Sequence, residues 1–592
     1  MRTFIILGIF TVNIYSLSAQ KLVPTDFLFR SMAVGNTDST VNNIRSNVIT
    51  EIILKEDLQT NSMLVWLGTG LGVSVIINSD TVEAIPDTSK LANSLSSSSA
   101  KTTTNRLPEG GISAMAAGND GTLFIAFAGS ENDIPVGQGF ALTSNASALT
   151  ASDSTINWTY FNQQIENIGV DYFEFWAYKS EALSITVPHQ NVTYDIALSH
   201  LDEDTSYAYT ASWAGGLRRL KFENEYNSNG DIIGIIPIKW ERVPLPMDNQ
   251  FKLNTCELTS YDTVPDPYDP ALTIIKLKDY YFNPRDPIDG GNHNHKVFSI
   301  LTYGDTIWVG TANGINRGIF GGYSQTFGYC INWEHYSYPE YNLSGNFVVG
   351  LALQMHKGKR VIWAATVNAD DPTEQRGVSY TTNDGLSWNT ALLGERVYNI
   401  TAQDSLVFAA TANGLWMTED GINWAKYKPA QQHTPYSTDE ILANEVYSVA
   451  FYTSDTSIWI GTGDGVAHSY DLDGLDWKIF RAEYDIEEDY AYPNPFSPYT
   501  HNVLGGDGYV RFHTNEWSGS SEIKLDVYNF AMEKVFAGSF DRTATSSGAL
   551  KWNGRDMEGR LVNNGVYFVK LTYPEGYNIK PSPHWVKLIV VK

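Results

Sequence analysis

Three residues in the first half of the chain have side chains that could hold a ligand between them. Trp213 ends an apolar run, and Arg218 and Arg219 follow within a few residues. An indole ring stacks on flat groups, and a guanidinium pairs with carboxylate or phosphate oxygens. The three residues therefore predict a site for stacking and ion pairing. The alternative is that Trp213 lies in the core and that the two arginines are paired at the surface.

Two histidines and a nearby aspartate predict a metal site. His293 and His295 are two positions apart, so on a β-strand both imidazoles would lie on one face. Asp289 would supply the third ligand that a bound metal ion needs. The alternative is a polar loop just ahead of a strand.

A further group of candidates is acidic. Asp370, Asp371 and Glu374 offer the hard oxygen atoms that calcium prefers, although their spacing is not that of an EF-hand. The alternative is a loop in which these side chains are solvated. No cofactor is evident from the sequence, and calcium is the one that these residues could bind.

No residue pattern defines a catalytic centre. The sequence contains no His-Glu-x-x-His, Gly-x-Ser-x-Gly or Gly-rich phosphate-binding motif. A pair of carboxylates could hydrolyse a glycosidic bond, but 66 acidic residues offer many pairs and their spacing does not select one. We therefore assign no catalytic residue from the sequence.

A repeated strand pattern surrounds these candidates. At 307–315 an apolar run, a Gly-Thr pair and a tight Asn-Gly turn lead into a second strand. Including this copy, the pattern occurs seven times, with apolar runs at 65–69, 123–127, 208–213, 307–311, 362–366, 407–411 and 458–462. Self-similarity on this scale is typical of repeat architectures.

The repeat predicts an all-β fold with a seven-bladed β-propeller over residues 47–481. The inner strands of a propeller blade are buried on both faces, which explains the continuous apolar runs. Six units end in a tryptophan that would fill the gap between neighbouring blades: Trp158, Trp240, Trp333, Trp388, Trp424 and Trp477. We expect any functional residues on the face where the longer connections open, namely 130–138, 161–190, 241–296, 368–376 and 425–444.

The N-terminus predicts export. Residues 1–19 have the features of a secretory signal peptide, with Arg2, an apolar run at 4–12 and small residues before a cleavage point. A polar segment, 20–46, follows it. No apolar run reaches the roughly 20 residues of a membrane-spanning helix, so we expect a secreted or cell-surface protein that is not an integral membrane protein. The net charge of −26 argues against nucleic acid as a partner.

The sequence contains two cysteines. The two cysteines, Cys256 and Cys330, would form a disulfide in an exported protein or remain as two buried thiols.

After an acidic linker at 482–491, short strands separated by Asn-Gly turns predict a small Ig-like β-sandwich over 492–592.

Parts of the repeat resemble known propeller families. The unit at 307–317 resembles the two-component-regulator type of repeat, and 381–388 is similar to the Asp-box of sialidase-like and sortilin-like propellers. The residues in the box positions are Asn383, Gly385 and Trp388, with a weaker copy at Glu419, Gly421 and Trp424. The resemblance implies that these residues brace a turn between the two outer strands and have no catalytic role.

The C-terminal region resembles the FlgD-type immunoglobulin-like domain of exported bacterial proteins. The matching segments are Tyr-Pro-Asn-Pro-Phe at 492–496, Lys-Trp-Asn-Gly-Arg-Asp at 551–556 and Asn-Gly-Val-Tyr-Phe at 564–568. The last six residues also resemble the end of type IX secretion sorting domains. Either resemblance implies a Gram-negative-type exported protein whose C-terminal domain contacts the secretion machinery or attaches the protein to the surface.

These observations favour a binding or interaction module over an enzyme. The propeller face would bind a glycan, a peptide or a surface protein. The alternative hypothesis is a secreted glycan-active hydrolase or lyase that uses the same face.

Overall fold

We analysed a computed structural model of the chain. It describes residues 44–57, 62–77, 81–84, 87–88, 102–104, 107–108, 110–118, 121–131, 134–144, 146, 158–163, 172–175, 178–181, 191–200, 206–228, 232–257, 261–265, 273–277, 293–324, 328–369, 371–427, 430–433, 438–441, 443–474, 477–482, 490–501, 508–513, 522–541, 550–572 and 584–592. The predicted signal peptide, most of the 20–46 segment, Asp289 and Asp370 lie outside these residues.

Among the described residues of 49–480, seven antiparallel sheets have four or five strands each and are called blades below. Blade 1 contains β1 (Ile49–Asp57), β2 (Ser62–Thr69), β3 (Gly72–Ile77) and β4 (Thr81–Ala84). Three short strands follow: β5 (Asp87–Thr88), β6 (Thr102–Thr104) and β7 (Leu107–Pro108). Blade 2 contains β8 (Gly111–Ala117), β9 (Leu123–Glu131), β10 (Ile134–Thr143) and β11 (Trp158–Phe161), with β6 paired to β11 as a fifth strand.

Blades 3 and 4 follow the same plan, with additional strands in the connections before each of them. A hairpin of β12 (Tyr172–Phe175) and β13 (Tyr178–Glu181) precedes blade 3, which contains β14 (Thr193–His200), β15 (Ser206–Ser212), β16 (Gly216–Tyr226) and β17 (Ile232–Arg242). Next come β18 (Lys252–Asn254), a 3-10 helix (Thr255–Glu257), β19 (Tyr261–Pro265) and β20 (Thr273–Leu277). Blade 4 contains β21 (Val297–Tyr303), β22 (Thr306–Thr311), β23 (Gly314–Ser324) and β24 (Gly328–Tyr336), with β18 paired to β24.

The last three blades are regular four-stranded sheets. Blade 5 contains β25 (Phe347–His356), β26 (Lys359–Val367), β27 (Gly377–Thr381) and β28 (Asn389–Ala391), and blade 6 contains β29 (Val397–Gln403), β30 (Leu406–Thr411), β31 (Gly414–Thr418) and β32 (Ala425–Lys426). After a hairpin of β33 (Gln431–His433) and β34 (Thr438–Glu440), blade 7 contains β35 (Val446–Tyr452), β36 (Ser457–Thr462), β37 (Gly465–Ser469) and β38 (Lys478–Phe480). The predicted apolar runs are the second strands of these sheets.

The seven sheets form a closed ring, which is the arrangement of a β-propeller. Each innermost strand contacts the innermost strands of the two adjacent blades, and β35 of blade 7 contacts β1 of blade 1. Asn47 holds this seam, because its Oδ1 accepts a hydrogen bond from the Ala482 N–H at 2.7 Å and its carbonyl accepts one from the Gly465 N–H at 2.7 Å. The start and the end of the propeller are therefore tied together by one buried residue.

Replacing Asn47 by alanine is expected to lower the free energy of unfolding by about 1–3 kcal/mol, because the buried Ala482 N–H loses its acceptor. Urea denaturation of the purified protein would measure the change. Asn413→Ala is the matched control, because Asn413 is exposed and its side-chain Nδ2 donates to Glu395 at 2.9 Å on the surface. A change below about 0.5 kcal/mol in Asn413→Ala is expected. Equal losses in the two variants would contradict the seam role of Asn47.

Aromatic rings fill the gaps between blades, as the sequence predicts. Edge-to-face pairs join the outer tryptophan of one blade to the second strand of the blade before it: Trp158 with Trp66 at 6.5 Å between ring centroids, Trp388 with Trp308 at 6.1 Å, and Trp424 with Trp363 at 6.1 Å. Such pairs add stability beyond the apolar area that they bury.

The C-terminal region forms a two-layer β-sandwich. One sheet contains β39 (Tyr490–Tyr492), β40 (Val510–His513) and β43 (Lys551–Trp552); the other has the order β42 (Lys534–Asp541), β41 (Glu522–Tyr528), β44 (Gly565–Thr572) and β45 (His584–Val590). Both sheets contribute to one core, which includes Phe512, Leu525, Trp552 and Leu588. The first strand begins at Tyr490, two residues before the predicted boundary at 492.

Candidate functional site

The longer connections open on one face of the ring. Because each blade runs outward as an antiparallel meander, the turns between second and third strands and the connections to the next blade share one end. This loop-bearing face includes the insertions at 161–190, 241–296 and 425–444. Each of the three insertions contains a two-stranded hairpin: β12–β13, β19–β20 and β33–β34.

Two of these hairpins meet. The strand β13, from the insertion before blade 3, contacts β20, from the insertion before blade 4. In addition, β12 contacts β17, the outer strand of blade 3. The two insertions therefore build one composite element beside blade 3, which sequence spacing alone does not predict.

A disulfide anchors the second insertion. Cys256, in the 3-10 helix, is bonded to Cys330 of β24 across 74 residues of chain. Beside it, Thr255 Oγ1 accepts a hydrogen bond from the Ile331 N–H at 2.7 Å. Of the two alternatives that the sequence left open for the cysteines, the structure has the disulfide.

Carboxylates brace the connections of this face. Asp248 accepts hydrogen bonds from the N–H groups of His293 at 3.1 Å and Asn294 at 2.7 Å. Farther round the ring, Glu445 accepts from the hydroxyls of Tyr398 and Tyr447, both at 2.8 Å. Burial and the charge of Glu445 raise the pKa of Tyr398, so its hydroxyl remains a donor. The sequence does not predict the roles of Asp248 and Glu445, because nothing in their spacing indicates which N–H or hydroxyl groups they bind.

Glu374 is the most extensively bonded of these carboxylates. Although it lies in the predicted calcium loop, it is only 7% exposed. Its Oε2 accepts from the Asn346 N–H at 2.7 Å and the Ala369 N–H at 2.8 Å, and its Oε1 accepts from the Asp371 N–H at 3.3 Å. The loop is thus folded around the carboxylate. Asp371 itself accepts from the hydroxyl and N–H of Thr373, which lowers its pKa.

Substituting Glu374 by alanine would leave the N–H groups of the buried Asn346 and the half-buried Ala369 without their acceptor, at a cost of about 1–3 kcal/mol. We expect faster amide hydrogen exchange at residues 368–376 and 344–346. Glu395→Ala is a control, since Glu395 lies on the same face and accepts from an exposed side chain. Unchanged exchange in Glu374→Ala would show that the carboxylate does not hold the loop.

The two predicted arginines lie in different environments. They are adjacent on β16 and buried, so their side chains lie on opposite faces of the strand. Arg219 Nε lies 2.8 Å from Glu241 Oε2, and its Nη1 donates to the Tyr329 carbonyl at 3.0 Å. Burial lowers the pKa of Arg219, but Tyr209 and Glu241 outweigh it and raise the pKa, so the guanidinium stays charged. A cavity of about 10 Å³ beside it has room for one water molecule.

Trp213 belongs partly to the core. Its ring packs on Phe298 with centroids 5.6 Å apart, and Lys296 Nζ lies 4.4 Å from the ring centroid. Arg218 donates from Nε to the Gly215 carbonyl at 3.2 Å. The structure thus places Arg219 in an ion pair with Glu241 within blade 3, and it places Trp213 against the inner strand of blade 4.

The predicted histidines lie in a turn and not on a strand, because β21 begins only at Val297. His295 Nε2 lies 3.2 Å from the Ala214 carbonyl. Burial and the nearby Arg242 guanidinium keep the pKa of His295 well below its usual value. A positive neighbour of this kind disfavours a cation. Within the described ranges, no cluster of three metal-ligating side chains occurs.

The Asp-box residues lie on the opposite face, in turns between third and fourth strands. Thr381 opens the first box: its Oγ1 accepts from the Gly385 N–H at 2.9 Å, while Asn383 Oδ1 accepts from the Ser387 N–H at 3.0 Å. The ring of Trp388 packs below, against Trp308. Asn383 and Gly385 are thus part of a hydrogen-bonded turn between β27 and β28.

In the second box the sequence assignment needs correction. The bracing carboxylate belongs to Asp420 and not to Glu419, because Asp420 Oδ1 accepts from the N–H groups of Ile422 at 2.8 Å and Asn423 at 2.7 Å. Trp424 Nε1 donates to the Gly421 carbonyl at 3.3 Å. Blade 7 has a related turn that sequence reasoning missed, formed by Ser469, Asp471, Gly474 and Trp477. The sequence pattern that would predict this turn is a Ser or Thr two positions before an aspartate, followed by a Gly and a Trp.

The chain is thus a β-propeller protein with an elaborated loop-bearing face and a C-terminal β-sandwich. No protein-family model and no curated protein matches the sequence. No helix within the described part of the chain is long and apolar enough to cross a bilayer.

Several solved structures are similar to the chain at low identity. One is PorZ, described as an essential surface component of the type IX secretion system of Porphyromonas gingivalis: 14% identity over 89% of this chain and 64% of PorZ, TM-score 0.29. The chain therefore spans less than two thirds of PorZ. Others are an ancestral GH74 enzyme (12% identity, 90% of this chain, 79% of the enzyme, TM-score 0.24) and YCF48 from Cyanidioschyzon merolae (10%, 74%, 97%, TM-score 0.33).

Proposed function

We propose that this protein is an exported binding module whose loop-bearing face recognises a glycan, a peptide or a surface protein. One observation carries the proposal: hairpins from two separate insertions contact each other and form a composite element beside blade 3. Loops that pack together on one face of a rigid scaffold are typical of a recognition surface.

The bracing of this face supports binding. Asp248, Glu374 and Glu445 use their oxygens to hold connections in place. A surface that is already ordered loses less conformational entropy when a partner binds. The same bonds occupy three carboxylates that would otherwise be candidates for acid–base chemistry.

The disulfide supports export, because disulfides persist in oxidising compartments outside the cytosol. We further propose that the C-terminal sandwich is an FlgD-type or sorting-type domain that serves secretion or surface attachment. Removing residues 490–592 from the chain expressed in a type IX-competent host tests this role. Retention of the truncated protein inside the cell, or its release from the surface into the medium, is expected; unchanged secretion and surface retention would refute it.

A screen of the purified protein against neutral and acidic polysaccharides and a peptide array tests the binding role. We expect saturable binding without product release. Release of shortened glycans would instead identify a glycan-active enzyme and overturn the binding-only proposal.

A further inference from the structure

The four-stranded sheet of the C-terminal sandwich has an aromatic outer face. One side of this sheet packs on the core, with Leu525, Val527 and Val569 fully buried. Because side chains alternate along a strand, their neighbours lie on the other side. There, Tyr528 pairs in register with Phe568, and its ring lies 5.5 Å from that of Trp585, which is 48% exposed.

A rigid hairpin tip extends this aromatic face. Between β41 and β42, Glu533 N–H donates to Asn529 Oδ1 at 2.9 Å, and Asn529 Nδ2 donates to Glu533 Oε2 at 2.8 Å. The tip presents Phe530, 77% exposed, and Met532, 53% exposed. Phe530 continues the aromatic face, since its ring lies 6.4 Å from that of Phe568.

Hydrogen bonds hold the backbone that carries these apolar groups. Met557, 65% exposed, lies at the same end of the sheet, where its N–H donates to the Val535 carbonyl at 2.9 Å. Large apolar side chains that are grouped and held in water contribute little to folding and indicate a surface that another apolar phase covers.

Lysines border the aromatic face. The strand register places Lys534 beside Tyr528, Lys587 beside Phe568 and Lys570 beside Trp585. Lys534 Nζ lies 5.6 Å from the Tyr528 ring centroid and 2.9 Å from Asp526.

The charge of the domain differs from that of the chain. Residues 490–592 contain 11 of the 40 basic residues and 9 of the 66 acidic ones, a net charge of +2, whereas the remaining residues carry −28. The aromatic face and its bordering lysines therefore belong to residues 490–592, the part of the chain that an anionic surface repels least because its net charge is positive.

We propose that the hairpin tip and the aromatic face form a docking surface for an anionic lipid membrane. Phe530 and Met532 would enter the acyl region, Tyr528 and Trp585 would lie at the headgroup level, and the lysines would pair with anionic headgroups. Aromatic rings with a polar edge prefer this interface. The inference rests on the proposed attachment role of the domain and names the partner: a lipid surface.

Vesicle flotation with the purified full-length chain tests the inference. We expect binding to vesicles of phosphatidylcholine mixed with phosphatidylglycerol, weaker binding when salt is added, and little to phosphatidylcholine alone. The double substitution Phe530→Ser, Met532→Ser should lower the partition coefficient by about tenfold or more, since it removes two apolar side chains from the lipid phase. Lys570→Glu with Lys587→Glu should lower it and abolish the salt dependence.

The matched control is Leu386→Ser with Ile422→Ser, which removes two side chains that are 81% and 76% exposed on propeller turns. It should leave vesicle binding unchanged. All variants should keep the melting temperature, because Lys570 is half-buried and the other substituted residues are exposed. No vesicle binding by the wild-type chain, or equal losses in the tip and control variants, would overturn the inference. Binding to an acidic polysaccharide in place of vesicles would also overturn it. If vesicle binding fails while removal of 490–592 still changes secretion or surface retention, only the membrane inference is lost.

Discussion

Replacing Gly385 by alanine is expected to lower the free energy of unfolding by about 3 kcal/mol, from backbone strain and overpacking together. Gly385 has φ +93°, and a Cβ there would lie 2.5 Å from Cζ of Tyr336 in the preceding blade. The Tyr336 ring cannot retreat freely, because it packs on Trp308 and its hydroxyl donates to Glu334 Oε2 at 2.8 Å.

Gly394 provides a matched control for the Gly385 prediction. It has the same φ of +93°, but no atom lies within 4 Å of the position of its Cβ. Gly394→Ala should therefore cost only the backbone strain, about 1 kcal/mol. Chemical denaturation of the two variants measures the difference. Equal losses would show that the contact with Tyr336 does not matter.

The contact between a turn glycine and an aromatic ring of the preceding blade recurs in two other turns of this propeller. A Cβ at Gly421 would lie 2.7 Å from Cη2 of Trp363, and one at Gly474 would lie 2.5 Å from Cδ1 of Tyr427. In each case the glycine of one blade packs on an aromatic ring of the blade before it. The glycine of each of these turns thus fixes the distance between neighbouring blades.

Removing the disulfide is expected to have a still larger effect. Cys256→Ser with Cys330→Ser releases a loop of 74 residues, which in the chain-entropy account costs about 4 kcal/mol. The loop contains the hairpin β19–β20, so we expect the composite element beside blade 3 to lose order before the blades unfold.

Thermal and urea denaturation, with and without a reductant, would measure the contribution of the disulfide. The wild-type protein should lose stability when reduced, whereas the double variant should not respond to the reductant. A wild-type protein insensitive to reduction would contradict the anchoring role. Cytosolic expression should give a less stable protein for the same reason.

Much of the fold could be predicted from the sequence, because the repeat carries it. Apolar runs such as 307–311 belong to strands that are buried on both faces, and the outer tryptophans fill gaps between sheets. A stack of blades satisfies both conditions. The strands β22, β26, β30 and β36 match the predicted runs closely. The C-terminal strands could be located because Asn-Gly turns separate them.

The candidate site could be predicted only as a region. The insertions were visible as interruptions of the repeat, but the contact between β13 and β20 joins segments about 90 residues apart and leaves no periodic signal. The chemical roles of single residues could not be predicted in the same way. The charge of Glu374 and Arg219 makes them candidates in the sequence, yet both are buried and held by internal bonds. Sequence spacing does not distinguish a charged group that binds a ligand from one that holds a loop.

The most direct test of the binding proposal compares two forms of the protein on the same polysaccharide and peptide arrays. One is the wild-type chain, and the other has residues 164–190, which include the hairpin β12–β13, replaced by a short Gly-Ser linker. We expect saturable binding by the wild-type chain, loss of that binding in the replaced form, and no new reducing ends or cleaved peptides with either. Unchanged binding by the replaced form, or product release by the wild-type chain, would contradict the account.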